Sequence, residues 1–289
     1  MNILITIVNH NGKKLLEKTL PSILKTERND INFDICVVDN NSSDDSVSFL
    51  EEQYPAIKVI RSDSNLGYGR AHNLALDEYP DYDKYVFMNN DIKVQPNWLK
   101  NLLEVVRTKQ NVGAVGPKIL LSEKKENKEK EEKHVINSAG MDIDKHHMAY
   151  DRYEGEYDDP KYNLIEKVDG ICGAVMFIPK NVIKKVKGFH PNMFLYYEDV
   201  DLSLRIRDLG YDIYYCGESV VYHDHMASTE DIGSFKRNWM NMCNRYVSIK
   251  DRKCLSVAIK ETVWYLCSWM MWKILHSKNI TLKQYLDDK

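Results

Sequence analysis

The most constraining stretch of this chain is residues 84–92, KYVFMNNDI. Tyr85, Val86, Phe87 and Met88 make a short apolar run, the pattern of a buried strand. The run stops at three polar residues, Asn89, Asn90 and Asp91. Open α/β sheets place their ligands beyond the carboxyl ends of central strands, where these three residues fall. Asn89 and Asp91 also offer oxygen donors of the kind a hard divalent cation takes. A plain turn built on Asn and Asp is the competing reading of these residues by themselves.

The surrounding chain supplies the rest of such a sheet. Residues 3–8 and 33–38 are apolar, β-branched runs that break at Asn9-His10-Asn11-Gly12 and at Asp39-Asn40-Asn41-Ser42. Leu15, Leu16, Leu20, Ile23 and Leu24 recur between them at helical spacing. Ser43 or Asp44 can cap the next helix. A strand over 57–60 leads to a glycine-bearing loop, NLGYGR from Asn65, that opens another helix. A helix over 96–109 and a strand over 112–115 follow KYVFMNNDI. Alternating strands and helices predict a mostly parallel sheet whose strand ends, and hence polar loops, lie on one edge.

Two nucleotide-using classes fit poorly. A dinucleotide-binding fold needs G-x-G-x-x-G in the first strand-to-helix turn, where Gly12 is the lone glycine. A sugar-phosphate nucleotidyltransferase needs a glycine-rich, basic first loop, and none is present. The net charge of -3 gives no reason to expect nucleic acid.

Beyond residue 120 the pattern changes. Residues 122–133, SEKKENKEKEEK, are nearly pure charge and read as a solvated or mobile insertion. Residues 139–163 are polar and tyrosine-rich without periodicity. Gly170 and Gly173 flank a point in VDGICGAVMFIP where backbone approaches something closely; a glycine-bearing bulge is the alternative. Leu202, Leu204, Ile206 and Leu209 then make a helix whose first turn carries Glu198, Asp199 and Asp201, acidic residues that a helix N-terminus favours. Asp201 can pair with Arg205 at i,i+4, and Glu198 shares its face. Asp199 points elsewhere and is the better candidate base, with Glu198 second. Residues 213–216 and 219–222 read as two short strands, the second ending at His223, an imidazole suited with Asn and Asp to Mn²⁺.

The six cysteines form no C-x-x-C pair and read as reduced thiols, hence a cytoplasmic protein. The first residues, MNILITIV, read as a strand and not a signal peptide. The chain divides into residues 1–230, an α/β domain, and residues 231–289, a C-terminal helical extension. Residues 262–272, TVWYLCSWMMW, fall short of the ~20 apolar residues needed to span a bilayer. Their tryptophans, with flanking Lys260 and Lys273, suit either peripheral membrane contact at the inner face of the cell membrane or a homodimer interface.

Taken together, these stretches resemble a family 2 glycosyltransferase with the GT-A fold, in its bacterial rhamnosyltransferase-like branch. The resemblance covers roughly residues 2–228. ITIVNHNG, VVDNNSSD, NLGYGRAHN, MNNDI, GFHPNMFLYYEDVDLSLR and VYHDHMAS occur in the order of that branch's motifs. The departures are His10 where the branch has tyrosine and His190 where it has aspartate.

The resemblance implies a Rossmann-like, mostly parallel sheet flanked by helices, and inverting transfer of one sugar. The implied donor is a nucleoside diphosphate sugar, dTDP-rhamnose or a UDP-sugar. The implied acceptor is a hydroxyl of a bacterial polysaccharide or a lipid-linked saccharide. Val8, Asn9 and His10 would line the base and ribose pocket, Asp39 would bond the pyrimidine, and Asn65, Arg70 and Asn90 would lie near the nucleotide. Asp169 and Gly170 would border the sugar. Asn89, Asp91 and His223 would hold Mn²⁺ or Mg²⁺, and Asp199 would be the general base. A non-catalytic nucleotide- or carbohydrate-binding protein on the same fold is the competing class, with Asn89, a weaker ligand than carboxylate, as its support.

Overall fold

A computed structural model describes residues 1–28, 31–127, 130–224 and 234–277. The first half alternates as its periodicity dictates. Strands β1 (Asn2–Asn9), β2 (Asn32–Asp39), β3 (Lys58–Arg61) and β4 (Lys84–Asn89) are separated by helices α1 (Lys13–Leu24), α2 (Ser46–Gln53) and α3 (Tyr68–Glu78). A short β5 (Ile92–Val94), α4 (Trp98–Thr108) and a long β6 (Val112–Glu126) come next. Strands β7 (Glu132–Ser138), β8 (Met141–Ile143), β9 (Ala149–Asp151), β10 (Ile165–Val168) and β11 (Val175–Pro179) precede α5 (Lys180–Val186), α6 (Glu198–Asp208) and β12 (Asp212–His223).

The main sheet runs β3-β2-β1-β4-β11-β6-β12-β10. Strands β1 to β4 are mutually parallel, β6 and β12 are parallel, and β11 is antiparallel to both neighbours, β4 and β6. Chain order reverses between β1 and β4, so the crevice at their carboxyl ends is the topological switch point where such sheets bind ligands. The sheet is covered on both faces, which explains the unbroken apolar runs. Ile3, Ile5, Ile7, Val86 and Met88 pack with Leu16, Leu20 and Trp98 on one side. Leu4, Tyr85 and Phe87 pack with Ala71, Ala75, Leu202 and Ile206 on the other.

The second half departs from the sequence expectation at several points. The charged run is not an irregular insertion: β6 continues to Glu126 and pairs antiparallel with β7, which starts at Glu132. Its side chains from Glu123 to Glu126 remain exposed, so solvation explains the composition while backbone pairing supplies the order. The two short strands expected at 213–222 are one strand, β12, with a register shift between Cys216 and Val220. The polar segment 139–163 contains a hairpin, β8 with β9. Lys118, 2% exposed, ties the following loop to the sheet by donating to Asp158 Oδ1 at 2.7 Å and Asn163 Oδ1 at 2.6 Å. A buried ammonium needs such partners.

The backbone forms two compact units, Met1–Gly233 and Ser234–Lys289. The described part of the second is a helical hairpin, α7 (Ser234–Arg252) and α8 (Leu255–Ser277). No helix among the described residues is long and apolar enough to cross a membrane. The six cysteines are unpaired.

Candidate active site

The site begins with a latch between three polar loops. Asn9, fully buried at the end of β1, lies opposite Asp39 at the end of β2. Its Oδ1 accepts from Asn90 Nδ2 at 2.8 Å, and Thr19 Oγ1 of α1 donates to the Asn90 carbonyl at 2.7 Å. A Cβ at Gly12 would come 2.2 Å from Asn90 Nδ2 and 2.4 Å from Asn9 Oδ1. Glycine at this position therefore permits the latch. Asn90 is thus a positioning amide within the crevice, and Val8 is half-buried beside it, in register with Asn89.

The second loop is built around Asp39 and Asn40. Asp39 Oδ2 accepts from Ser42 N at 3.1 Å, and Asn40 donates to Asn65 Oδ1 at 3.0 Å and to the Gly67 carbonyl at 3.2 Å. Asp44 accepts from Ser46 N at 3.1 Å at the start of α2 and from Lys13 N at 3.1 Å at the start of α1, so one carboxylate serves two helix N-termini. His10 is exposed, and its Nδ1 is 3.0 Å from the Asn40 carbonyl. A carbonyl only accepts, so Nδ1 carries the proton and the ring is held over this loop. Arg70 is exposed in the first turn of α3. Gly67 precedes it at φ +80°, where a Cβ would come 1.9 Å from the Phe194 carbonyl.

The third component brings Asp91 and His223 together. After β4 the chain turns and β5 pairs antiparallel with β12, placing Ile92 opposite His223. His223 Nε2 consequently lies 3.3 Å from Asp91 Oδ1, with both residues buried. Its Nδ1 is 2.8 Å from Asn137 Oδ1. With an acceptor on that side, Nδ1 is the donor, and Nε2 is the nitrogen that faces Asp91. Asn137, on β7, is a residue that sequence reasoning missed; nothing in its local pattern marks it.

The acidic turn of α6 reaches the end of β4 through Gly173, whose neighbour Ala174 accepts from Asn89 N at 3.1 Å. Asp199 is half-buried, and its Oδ2 accepts from Gly173 N at 2.7 Å. Its Oδ1 accepts from Val200 N at 2.8 Å. The sequence left Asp199 without a partner; the structure gives it two backbone donors. Burial raises its pKa, and these bonds work against that rise. Glu198 is 6% exposed, and its Oε2 has no hydrogen-bond partner. Burial, with the Asp199 charge adding to it, pushes Glu198 up to about 8. Glu198 therefore holds a proton at neutral pH, while the two backbone donors favour the charged form of Asp199. Asp201 pairs with Arg205 Nε at 2.7 Å, as its spacing predicts.

Asp169 and Gly170 both make close contacts within the protein. The Asp169 carboxylate is already engaged: Oδ2 accepts from Ile143 N at 3.0 Å, and Oδ1 pairs with Arg207 at 2.8 Å. Gly170 faces Met141 and Ser203 side chains rather than open space, because β8 runs against it. Asp151, on the same hairpin, was not singled out. Its pKa is raised to about 7, first by burial and further by the Asp199 carboxylate.

The donor set at Asp91 and His223 suits a divalent ion. A carboxylate oxygen and an imidazole nitrogen are ligand types that Mn²⁺ accepts. Asn89, half-buried at the end of β4, contributes only an amide. Among the described residues no group of three or more His, Cys, Asp and Glu could hold a metal. Further ligands would have to come from substrate oxygens.

A mostly parallel sheet with its switch-point crevice at the ends of β1 and β4 is the architecture of GT-A glycosyltransferases. Solved structures share this fold. GalNAc-T7 with UDP, GalNAc and Mn²⁺ superposes with a TM-score of 0.68 at 14% identity, over 86% of this chain and 48% of that one. The mannosyltransferase PcManGT from Pyrobaculum calidifontis, with GDP-Man and Mn²⁺, gives 0.60 at 14% identity, over 92% and 74%. Residues 4–187 match Glycosyl transferase family 2, and the chain belongs to that family. An N-acetylglucosaminyl-diphospho-decaprenol L-rhamnosyltransferase of Mycobacterium tuberculosis is 24% identical over 238 residues, 78% of this chain and 76% of the relative. The O-antigen biosynthesis protein RfbC of Myxococcus xanthus is 25% identical over 227 residues, 77% of this chain and 17% of the relative.

Proposed function

We propose that the protein is an inverting glycosyltransferase that moves one sugar from a nucleoside diphosphate sugar to a hydroxyl of a lipid-linked saccharide at a membrane surface. The observation that carries the reading is the pairing of Asp91 with His223 beyond the end of β4, the strand end at which Gly173 holds Asp199. The rhamnosyltransferase named among its relatives supports a deoxyhexose donor such as dTDP-rhamnose, with a UDP-sugar as the alternative.

His10 covers the base, Asp39 and Asn65 border the nucleoside, and Arg70, exposed on the first turn of α3, reaches toward the diphosphate. Asp91 and His223, with Asn89, would hold Mn²⁺ or Mg²⁺, which would supply positive charge against the leaving diphosphate. Asp199 accepts the proton of the acceptor hydroxyl as that oxygen attacks the anomeric carbon from the face opposite the diphosphate. The bond from that carbon to the diphosphate oxygen breaks, and the nucleoside diphosphate departs. Gly173 N–H fixes the carboxylate for this step, and protonated Glu198 adds no competing charge. A positioned base of this kind contributes ~10²- to 10⁴-fold.

A panel of dTDP- and UDP-sugars, assayed for hydrolysis with and without Mn²⁺, tests the proposal. Turnover of one member, dependent on metal and abolished in Asp199→Asn, supports it. Binding without turnover of any member would instead identify a non-catalytic binding protein, the reading that the amide of Asn89 favours.

A further inference from the structure

The second compact unit carries a charge opposite to that of the first. Residues 234–289 hold 11 Lys and Arg against 4 Asp and Glu, a net +7, whereas residues 1–233 hold 29 against 39, a net -10. The whole chain, at -3, conceals this division. A charge asymmetry of this kind between parts of one chain points to an anionic surface as partner of the basic part.

The same unit buries Met242, Ile249 and Ala258 together with several polar side chains, and leaves larger apolar ones exposed. Asn244, Arg245 and Ser248 of α7 and Glu261 of α8 are buried. Arg245 Nη1 donates to the Glu261 carbonyl at 3.3 Å and Nη2 lies 3.7 Å from its carboxylate, so polar groups join the two helices. Leu255, Ile259, Val263 and Leu266 instead lie 38–54% exposed. Their spacing of four, four and three residues puts them on one stripe of α8. Phe235 and Trp239 of α7 are 69% and 55% exposed and stack on each other. Exposed basic residues accompany them: Lys236, Arg237, Lys250, Lys253 and Lys260.

We infer that the α7–α8 hairpin is a docking surface for an anionic lipid bilayer, lying in its headgroup layer. Exposed apolar stripes of this extent mark interaction surfaces, and tryptophan with lysine suits the headgroup boundary. Charge selects the occupant. A second copy would bring the exposed Lys236, Arg237, Lys250, Lys253 and Lys260 against their own like charges, whereas anionic headgroups complement them. Among the described residues no helix is long and apolar enough to cross a membrane. Docking through this surface is independent of the transfer chemistry proposed above.

Flotation of the full chain with vesicles of phosphatidylglycerol and phosphatidylcholine, against phosphatidylcholine alone, tests the inference. The wild type should float with the anionic vesicles at low salt, and binding should weaken as salt screens the surface. Ile259→Asp with Val263→Asp, and separately Lys236→Glu with Arg237→Glu, should each weaken binding at least about tenfold. Both sites are exposed, so thermal unfolding and nucleotide binding should hold, and a blue shift of tryptophan emission should accompany wild-type binding only. Absence of flotation at low salt, or equal flotation by the variants, would overturn the inference. So would a wild-type dimer in light scattering that the aspartates convert to monomer. Donor-sugar hydrolysis without vesicles reads the catalytic proposal separately, so either can fail alone.

Discussion

The imidazole of His223 is held between two side chains, with Nδ1 2.8 Å from Asn137 Oδ1 and Nε2 3.3 Å from Asp91 Oδ1. The amide fixes which nitrogen faces the carboxylate. Partners of this kind orient metal-ligating histidines, and their loss costs ~10- to 100-fold in metal affinity. Asn137→Ala should therefore weaken Mn²⁺ binding by about that factor. Nucleotide binding in chelator should be unchanged, and Asn137→Asp should restore the metal affinity. Mn²⁺ titration followed by electron paramagnetic resonance reads this directly; equal affinity in all three proteins would reduce Asn137 to a packing residue.

Asp91→Asn preserves size while removing the ligand charge. In calorimetric titrations, UDP or dTDP should bind the wild type more tightly with Mn²⁺ than with chelator. The variant should show no difference between the two conditions. Retention of the metal effect would remove Asp91 from the site.

Asp199→Asn keeps the hydrogen bond from Gly173 but cannot take up a proton at the acceptor. Turnover should fall by about 10²-fold or more, with donor affinity held. Glu198→Gln should have the smaller effect, because that residue already carries its proton near neutrality. The reverse order in steady-state kinetics would transfer the role of base to Glu198.

The same carboxyl makes stability depend on pH with a defined sign. Glu198 is raised from 4.5 to about 8, so between these values the unfolded chain has lost a proton that the folded protein retains. Stability should therefore fall as pH rises through this window, and the loss should be complete above about 8. Asp199, also raised, acts in the same direction. Glu198→Gln should flatten the decline in denaturant titrations at pH 5, 6.5 and 8. A wild-type curve that rises over this range would contradict the burial of a protonated Glu198.

Much of the catalytic half was legible because it depends on local pattern. The apolar run 85–88 has the pattern of a buried strand, and it is β4, with Asn89 at its end. Helical spacing alone placed Asp201 against Arg205. The order of the six motifs identified the family that residues 4–187 match. The charged run 122–133 misled, since its composition reports solvation and says nothing about backbone pairing with β7.

What the tertiary structure decided are relations between residues distant in sequence. The pairing of β5 with β12 brings His223 to Asp91, and no periodicity encodes a register between strands so far apart in the chain. Asn137 orients His223 only because β7 folds back along β6, and Asp169 is engaged only because β8 and Arg207 reach it. Adjacent Glu198 and Asp199 look alike as letters. Burial leaves one without a hydrogen bond for its Oε2, while the other receives two backbone donors, and this difference in solvation separates the proton holder from the base.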